Sequence, residues 1–419
     1  MISEVDGLIE TVFRTEYGQV LAVLISQFGD FLLAEDSLQD ALLIALEKWS
    51  VAGIPQNPGA WLLVISRRRA VDKLRREFTF NQKLGFLVDQ EDPHSIEQEP
   101  DEMATVPDER LKLMFTCCHP ALALETQVAL TLRTVCGLTT DEVARAFLVP
   151  VATMTKRLTR AKLKIREARI PFCIPSAHIL PERLDALLAV IYLIFTEGYC
   201  ATRGAELIRH DLCSEAIRLI RILLDQFPQG EKAAEAQGLL ALLLLHDSRR
   251  DARISLSGEL VLLEDQDRGA WNQEQIEEGL ALLEQALALK KPGPYQVQAA
   301  ISALHVQAPT ARDTDWQQIK VLYDILLGMS SNVVIQVNRA VAIGMIEGAQ
   351  AGLQALTVID DAQNYYPFHA AQADFLQRLN DFDAAAISYE RATVLCQNEI
   401  ERAYLSKRLM EVINKSNPP

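Results

Sequence analysis

Two stretches of this chain concentrate the side chains that bind phosphate. Within residues 61–76, Arg67, Arg68, Arg69, Lys73, Arg75 and Arg76 stand against a single acid, Asp72. Within residues 151–169, Lys156, Arg157, Arg160, Lys162, Lys164, Arg166 and Arg169 stand against Glu167 alone. Clustered cations of this kind neutralise a polyanion and release its counterions. The net charge of −15 argues against such a partner only if the charge is spread evenly, and it is not. Residues 1–170 hold 20 Lys and Arg against 24 Asp and Glu, and the remainder hold 21 against 32. Screening limits the reach of a charge to about 8 Å at physiological salt, so the local stripe decides. Either stripe taken alone also fits a solvated helix face.

The second stripe sits on a recognisable local frame. Thr139-Thr140-Asp141-Glu142 has the form of a capping box, with Glu three residues after Thr. It predicts a short helix to Phe147 in which Ala144 permits close packing, and a turn at Leu148-Val149-Pro150 that stops it. In the next helix Met154 and Leu158 point inward at i, i+4, while Thr153, Lys156, Arg157 and Arg160 point outward. That is the layout of a helix-turn-helix, whose second helix enters the major groove. Lys156, Arg157, Arg160 and Lys164 suit guanine edges or phosphates, and Thr153 and Thr155 suit phosphate or a thymine methyl. A plain helical hairpin is the alternative for this segment by itself.

The first stripe follows a loop. Asn57-Pro58-Gly59 closes it, and Trp61 opens a helix with apolar Leu62, Ile65 and Leu74. An aromatic followed by a run of Arg suits single-stranded DNA, where bases stack while the backbone lies on positive charge. The preceding helix carries Glu35, Asp36, Gln39 and Asp40. These acids repel phosphate, so they face either a basic protein partner or solvent.

Other chemistries find little support. The seven cysteines form no CxxC pair, and Cys117-Cys118-His119 is a poor zinc site because adjacent helical side chains diverge by about 100°. Core packing is the better reading of those three residues. No catalytic triad, HExxH or phosphate-cradling Gly-rich loop is present, so neither an enzyme nor a metal or cofactor is expected. The acidic N-terminus lacks a signal-peptide pattern, and no apolar run approaches the roughly 20 residues that span a bilayer. A cytoplasmic protein without membrane contact is the expectation.

Leu and Ala dominate and strand-like alternation is scarce, which predicts an all-α chain. Four pieces follow: a helical unit at 1–78, an acidic linker at 79–107, a second helical unit at 108–170, and a long helical region at 182–419. In the last, Ala373, Leu376, Ala385, Tyr389 and Ala392, with Asn380-Asp381 between, repeat the offsets of Ala340, Ile343, Gly352, Leu356 and Ile359. The period, about 33–34 residues, is that of tetratricopeptide (TPR) repeats. Residues 258–268 are dense in carboxylates beside Leu260-Val261-Leu262-Leu263, and fit a structural connector or a ligand site.

Taken in order, these motifs resemble the extracytoplasmic-function (ECF) subfamily of sigma-70 family sigma factors. Gly29-Asp30, Ala34-Glu35-Asp36, Gln39-Asp40, Pro58, Trp61-Leu62 and Asp72-Lys73-Leu74-Arg75-Arg76 are similar to region 2. Gly137-Leu138-Thr139, Glu142-Val143-Ala144 and the Thr153 to Ala161 segment are similar to region 4. Phe115-Thr116-Cys117-Cys118-His119-Pro120, Glu197-Gly198-Tyr199 and residues 258–268 resemble the subgroup with a TPR-like extension. The resemblance implies a division of labour. Glu35, Asp36, Gln39 and Asp40 would meet the β′ clamp helices of RNA polymerase core, whose β flap is the second contact. Asn57, Trp61, Arg67, Arg68, Arg69, Lys73, Arg75 and Arg76 would melt and hold the minus-10 element. Thr153, Thr155, Lys156, Arg157, Arg160 and Lys164 would read the minus-35 element. Many members have an Asn where this chain has Arg67-Arg68-Arg69, which leaves its minus-10 preference open. The extension would regulate or support initiation, with a regulatory protein as its partner. The rival is a polymerase-independent helix-turn-helix regulator with a TPR-like sensor domain.

Overall fold

Asp30 starts the second helix of the chain by accepting hydrogen bonds from the Leu32 and Leu33 amides at 2.8 and 3.0 Å. Gly29 beside it takes a positive φ of 65°, the conformation that lets the first helix end there. Such punctuation recurs through the computed structural model, which describes residues 2–82, 108–147, 149–201, 204–227, 231–330 and 332–416. Among these residues all regular structure is helical, and the only β contacts are two isolated bridges, as the Leu/Ala-rich sequence predicts. The chain divides after Val190 into two units.

The first unit begins with α1 (Ile2–Phe28), α2 (Phe31–Ala52) and α3 (Pro58–Gln82), which pack on one another. The seam of α2 is Ala34, Leu38, Ala41, Ala45 and Trp49, all buried at helical spacing. Across it lie Val20, Leu21 and Leu24 of α1 and Ala60, Leu62, Leu63 and Ala70 of α3. Trp49 meets Trp61 edge-to-face at 5.2 Å. Leu74, expected among the apolar positions of α3, is 42% exposed although it continues the face of Ser66 and Ala70 at i+4; burial along that face stops at Ala70. Helix α3 continues to Gln82, so residues 79–82 of the expected linker are helical, while 83–107 lie outside the described residues.

The second motif of this unit comprises α4 (Arg110–Cys117), α5 (Leu124–Thr134), α6 (Thr140–Ala146) and α7 (Val151–Glu167). The capping box forms as expected: Thr139 caps the Glu142 amide, and the Glu142 carboxylate returns to the Thr139 amide at 2.7 Å. Phe147 caps α6, and Pro150 opens α7; Leu148 of the expected turn lies outside the described residues. Cys117 and Cys118 are buried and hydrogen-bond different threonines, Thr134 and Thr131. Burial pushes both thiols up, Cys118 to about 12, so they remain protonated packing groups at neutral pH.

Helix α8 (Leu180–Tyr199) carries the chain across the division. The second unit then stacks α9 (His210–Gln226), α10 (Glu231–Asp247), α11 (Gln273–Leu287), α12 (Pro294–Gln307), α13 (Trp316–Met329), α14 (Val333–Glu347), α15 (Ala349–Thr357), α16 (Tyr366–Arg378), α17 (Phe382–Leu395) and α18 (Glu399–Ser416). Successive helices pair as hairpins, α14 with α15 and α16 with α17. Their interiors hold the expected positions: Ala340, Leu356 and Ile359 in one cluster, Ala373, Ala385, Tyr389 and Ala392 in the next. Asn380 turns the second hairpin with a φ of 61°. Gly344 and Gly352 face each other beneath Phe375, whose ring occupies the space a Cβ at either position would need.

Gly344→Ala is therefore expected to destabilise the second unit by about 1–3 kcal/mol through overpacking against Phe375. Urea denaturation of the full chain, compared with Ala342→Gly as a control for helix propensity, checks this.

Candidate nucleic-acid interface

The outer face of α7 is the most regular cationic surface among the described residues. Met154, Leu158, Ala161 and Ile165 are buried at i, i+4, i+7 and i+11, which leaves Thr153, Lys156, Arg160 and Lys164 on the exposed side. These four line a groove of about 450 Å³ with Leu122, Ala123 and Thr126 at the start of α5. Arg157 is at its edge and partly committed: it pairs with Glu125 at 3.2 Å and lies 5.7 Å from the Phe147 ring centroid. Thr155 is exposed, and its hydroxyl donates to the Val151 carbonyl at 2.9 Å. Among the described residues Lys156, Arg160 and Lys164 have no ion-pair partner, and their cationic heads lie along one helix face.

Lys162, part of the same stripe by sequence, turns the other way. Its side chain is 9% exposed, and its ammonium donates to Glu35 Oε2 of α2. Glu35 Oε1 accepts from Tyr17 at 3.4 Å and faces Arg133 Nη2 at 3.4 Å. The Arg133 guanidinium in turn stacks 4.9 Å above the Tyr17 ring. Burial pushes the Tyr17 hydroxyl up, so it stays protonated and donates. Gly18 completes the joint, since a Cβ there would overlap the Val135 carbonyl. Helices α1 and α2 are thereby fastened to α5 and α7, and Glu35, expected on a partner-binding face, is 5% exposed. The physical reason is that the apolar stripe of α2 rolls Glu35 inward, where a carboxylate requires cations.

The other acidic candidates divide. Asp36 and Gln39 are exposed on α2, whereas Asp40 forms a 2.9 Å ion pair with Lys73 of α3. Beside them Leu43 and Leu46 are 62% and 43% exposed, a mixed apolar and polar stripe. Sequence reasoning missed these two leucines, because the run Ala41 to Leu46 is apolar throughout and does not reveal which side faces out. On α3, Arg69 and Arg76 are exposed, and Arg75 too has a contact within the chain. Arg67 donates to Gln27 at 2.8 Å, Arg68 has internal partners, and Lys73 holds Asp40. Asn57 is a helix cap: its side chain accepts from the Ala60 amide at 3.0 Å. Trp61 is half-buried against Trp49. The structure therefore gathers the α3 candidates on one helix but commits several of them to local contacts.

Among the described residues no cluster of His, Cys, Asp and Glu could hold a metal ion, and no helix is long and apolar enough to cross a membrane.

Comparison with known proteins places families on these same elements. Residues 12–78 match Sigma-70 region 2, and residues 112–165 match Sigma-70, region 4. Residues 183–287 match a family of unknown function, DUF6596. An uncharacterized protein of Rhizobium meliloti (strain 1021) is 40% identical over 406 residues, covering 96% of this chain and 95% of its own. No solved structure matches.

Removing the Glu35 carboxylate leaves the buried charges of Lys162 and Arg133 without a carboxylate, which costs about 3–5 kcal/mol at such sites. Glu35→Ala is expected to loosen the joint, read as faster hydrogen exchange of the α7 and α5 amides. Unchanged protection in both helices would show that the apolar packing alone holds it.

Proposed function

We propose, from the matches of residues 12–78 and 112–165 to sigma-70 regions 2 and 4, that the chain is a sigma-70 family transcription initiation factor of the ECF type with a TPR-like extension, and that RNA polymerase core and promoter DNA are its partners. The observation that carries the reading is the outer face of α7, where Thr153, Lys156, Arg160 and Lys164 are free beside a groove while the opposite face is buried. This face reads the minus-35 element. Lys156, Arg160 and Lys164 reach phosphates or guanine edges, and Arg157 joins them on release from Glu125.

Core polymerase docks on α2 through Asp36, Gln39 and Asp40, with Leu43 and Leu46 supplying apolar area beside the carboxylates. Helix α3 holds the minus-10 element, with Arg69, Arg75 and Arg76 on the strand backbone and Arg67, Arg68 and Lys73 redirected from their internal partners. Trp61 and Asn57 shape the start of that helix.

On this reading a rearrangement follows. The two promoter elements are centred about 25 base pairs apart, roughly 85 Å at 3.4 Å per pair. Lys73 of α3 holds Asp40 of α2 at 2.9 Å, and Glu35, five positions earlier on α2, holds Lys162 of α7, so both basic helices meet α2 within about 8 Å of helical rise. With Glu35 of α2 bonded to Lys162 of α7, one molecule does not span both elements. Promoter engagement opens this joint, and Glu35 becomes available to core polymerase only then. The extension supports or regulates that step through protein contacts, as concave helical repeats commonly do.

In vitro transcription with core polymerase tests the reading. The triple variant Lys156→Ala, Arg160→Ala, Lys164→Ala should lose initiation, and its slope of log affinity against log salt should fall by about 2.7 if all three contact phosphate. Specific duplex binding by the wild type with no transcript from core polymerase would favour the polymerase-independent regulator instead.

A further inference from the structure

The second unit contains a polar cluster that promoter recognition does not use. Residues 246–253, His246-Asp247-Ser248-Arg249-Arg250-Asp251-Ala252-Arg253, leave the end of α10, and Arg268 and Trp271 return beside them before α11. One arginine is accounted for, since Arg250 pairs with the fully buried carboxylate of Asp247. Arg253 stacks 3.8 Å from the Tyr199 ring centroid and donates to the Tyr199 carbonyl at the end of α8. Arg268 stacks 4.6 Å from the Trp271 centroid and donates to the Ala308 carbonyl at 2.9 Å, just past α12. Both therefore serve helix C-termini, where a cation complements the dipole.

Arg249 has no such explanation. It is 7% exposed, its Nη2 donates to His246 Nδ1 at 2.9 Å and to the Tyr199 hydroxyl at 3.3 Å, and its guanidinium lies 6.0 Å from the Trp271 centroid. None of these partners is a carboxylate. Its Nε finds no acceptor among the described residues, and neither does the indole Nε1 of Trp271, which is 3% exposed. Two orphaned donors thus sit on stacked, nine-tenths-buried side chains, against the usual rule that buried polar groups are paired.

The charges do not balance either. The C-termini of α8, α10 and α12 contribute about half a negative charge each against three guanidinium groups. Among the described residues Arg249, Arg253 and Arg268 have no carboxylate partner: Asp247 pairs through Oδ2 with Arg250 and Gln275, and Glu197 with Arg209. Asp313 acts on Arg268 from further away without pairing. The two histidines add nothing, since burial and the neighbouring arginines push His246 well below its ordinary range and His305 to about 4. An excess of roughly one to two positive charges remains, and beside it the Arg249 Nε and Trp271 Nε1 donors are open, as is one acceptor, Asp247 Oδ1.

We propose that this cluster is a binding site for a small oxyanion, held by Arg249 and Arg268 with the Trp271 indole N–H. Arg268 is half-buried and forms the solvent-facing side, and Arg249 lies behind it as the deep anchor. Guanidinium groups recognise phosphate and carboxylate with the same fork geometry, so the ligand is a phosphate or a small carboxylate. The extension is then a ligand-binding module, whether or not the first unit acts at promoters.

Calorimetric titration of the full chain with inorganic phosphate, and separately with acetate, at fixed chloride and pH tests this. The expected result is saturable one-site binding, accompanied by a tryptophan fluorescence change that Trp271→Phe removes. Arg249→Gln should weaken the same binding by about tenfold or more with an unchanged circular dichroism spectrum. Should Arg249→Gln misfold, Arg249→Lys, which keeps the charge and loses the Nε donor, takes its place. Tighter binding of acetate than of phosphate assigns the source to carboxylates. No saturable binding of either anion overturns the proposal. So does binding that survives the Arg249 and Trp271 variants and disappears with Lys156→Ala and Arg160→Ala, which would place the anion on α7.

Discussion

A carboxylate buried between two cations sets the arrangement of the first unit. Glu35 cannot sit inside the protein alone, because an unpaired charge in a medium of low polarity is far costlier than in water. Lys162 and Arg133 supply the compensation, and Tyr17 satisfies a further lone pair. Each of the four comes from a different helix, α1, α2, α5 and α7, so meeting the demand of one carboxylate fastens two helical motifs together. Close approach at Gly18 and Val135 permits the joint; the ionic cluster specifies its register.

This arrangement sorts the basic residues of α7 by direction. Helical periodicity carries Lys162 to the buried side with Ala161 and Ile165, while Lys156, Arg160 and Lys164 stay in solvent. The same sorting acts on α2, where Glu35 turns in and Asp36, Gln39, Leu43 and Leu46 turn out. A solvent-facing surface and an interior that serves the fold are thus drawn from adjacent positions. Because the joint is ionic and buried, breaking it would leave charges that its partners now satisfy.

The second unit is built on a different principle. Its helical hairpins close on small residues: Gly344 and Gly352 under Phe375, and Ala373, Ala385 and Ala392 around Tyr389. The carboxylate-rich connector at 258–268 is a turn with one isolated bridge, Ile254 to Leu260, and it lines a cavity of about 540 Å³ with Asp374, Tyr404 and Arg408. Its last residue, Arg268, stacks on Trp271 and joins the arginine cluster. A connector that looks acidic in sequence therefore supplies the outer wall of a cationic site.

Much was legible in the residues alone, for local reasons. Helix propensity, the Thr139–Glu142 capping box, the Asn380-Asp381 turn and the Met154–Leu158 spacing all act within a few residues, so an all-α chain with a helix-turn-helix follows without tertiary information. The paired motifs also placed the chain beside sigma factors, and the family matches on residues 12–78 and 112–165 agree. Long-range pairing was not legible. Nothing in sequence says that Glu35 meets Lys162 across 127 positions, that Asp40 is held by Lys73, or that Leu43 stays in water. Equally, Arg249, Arg268 and Trp271 are unremarkable until folding stacks them. Local rules decide which residues are helical and which face of each helix is apolar; only tertiary packing decides which charged residues are buried, because burial and partner arrive together.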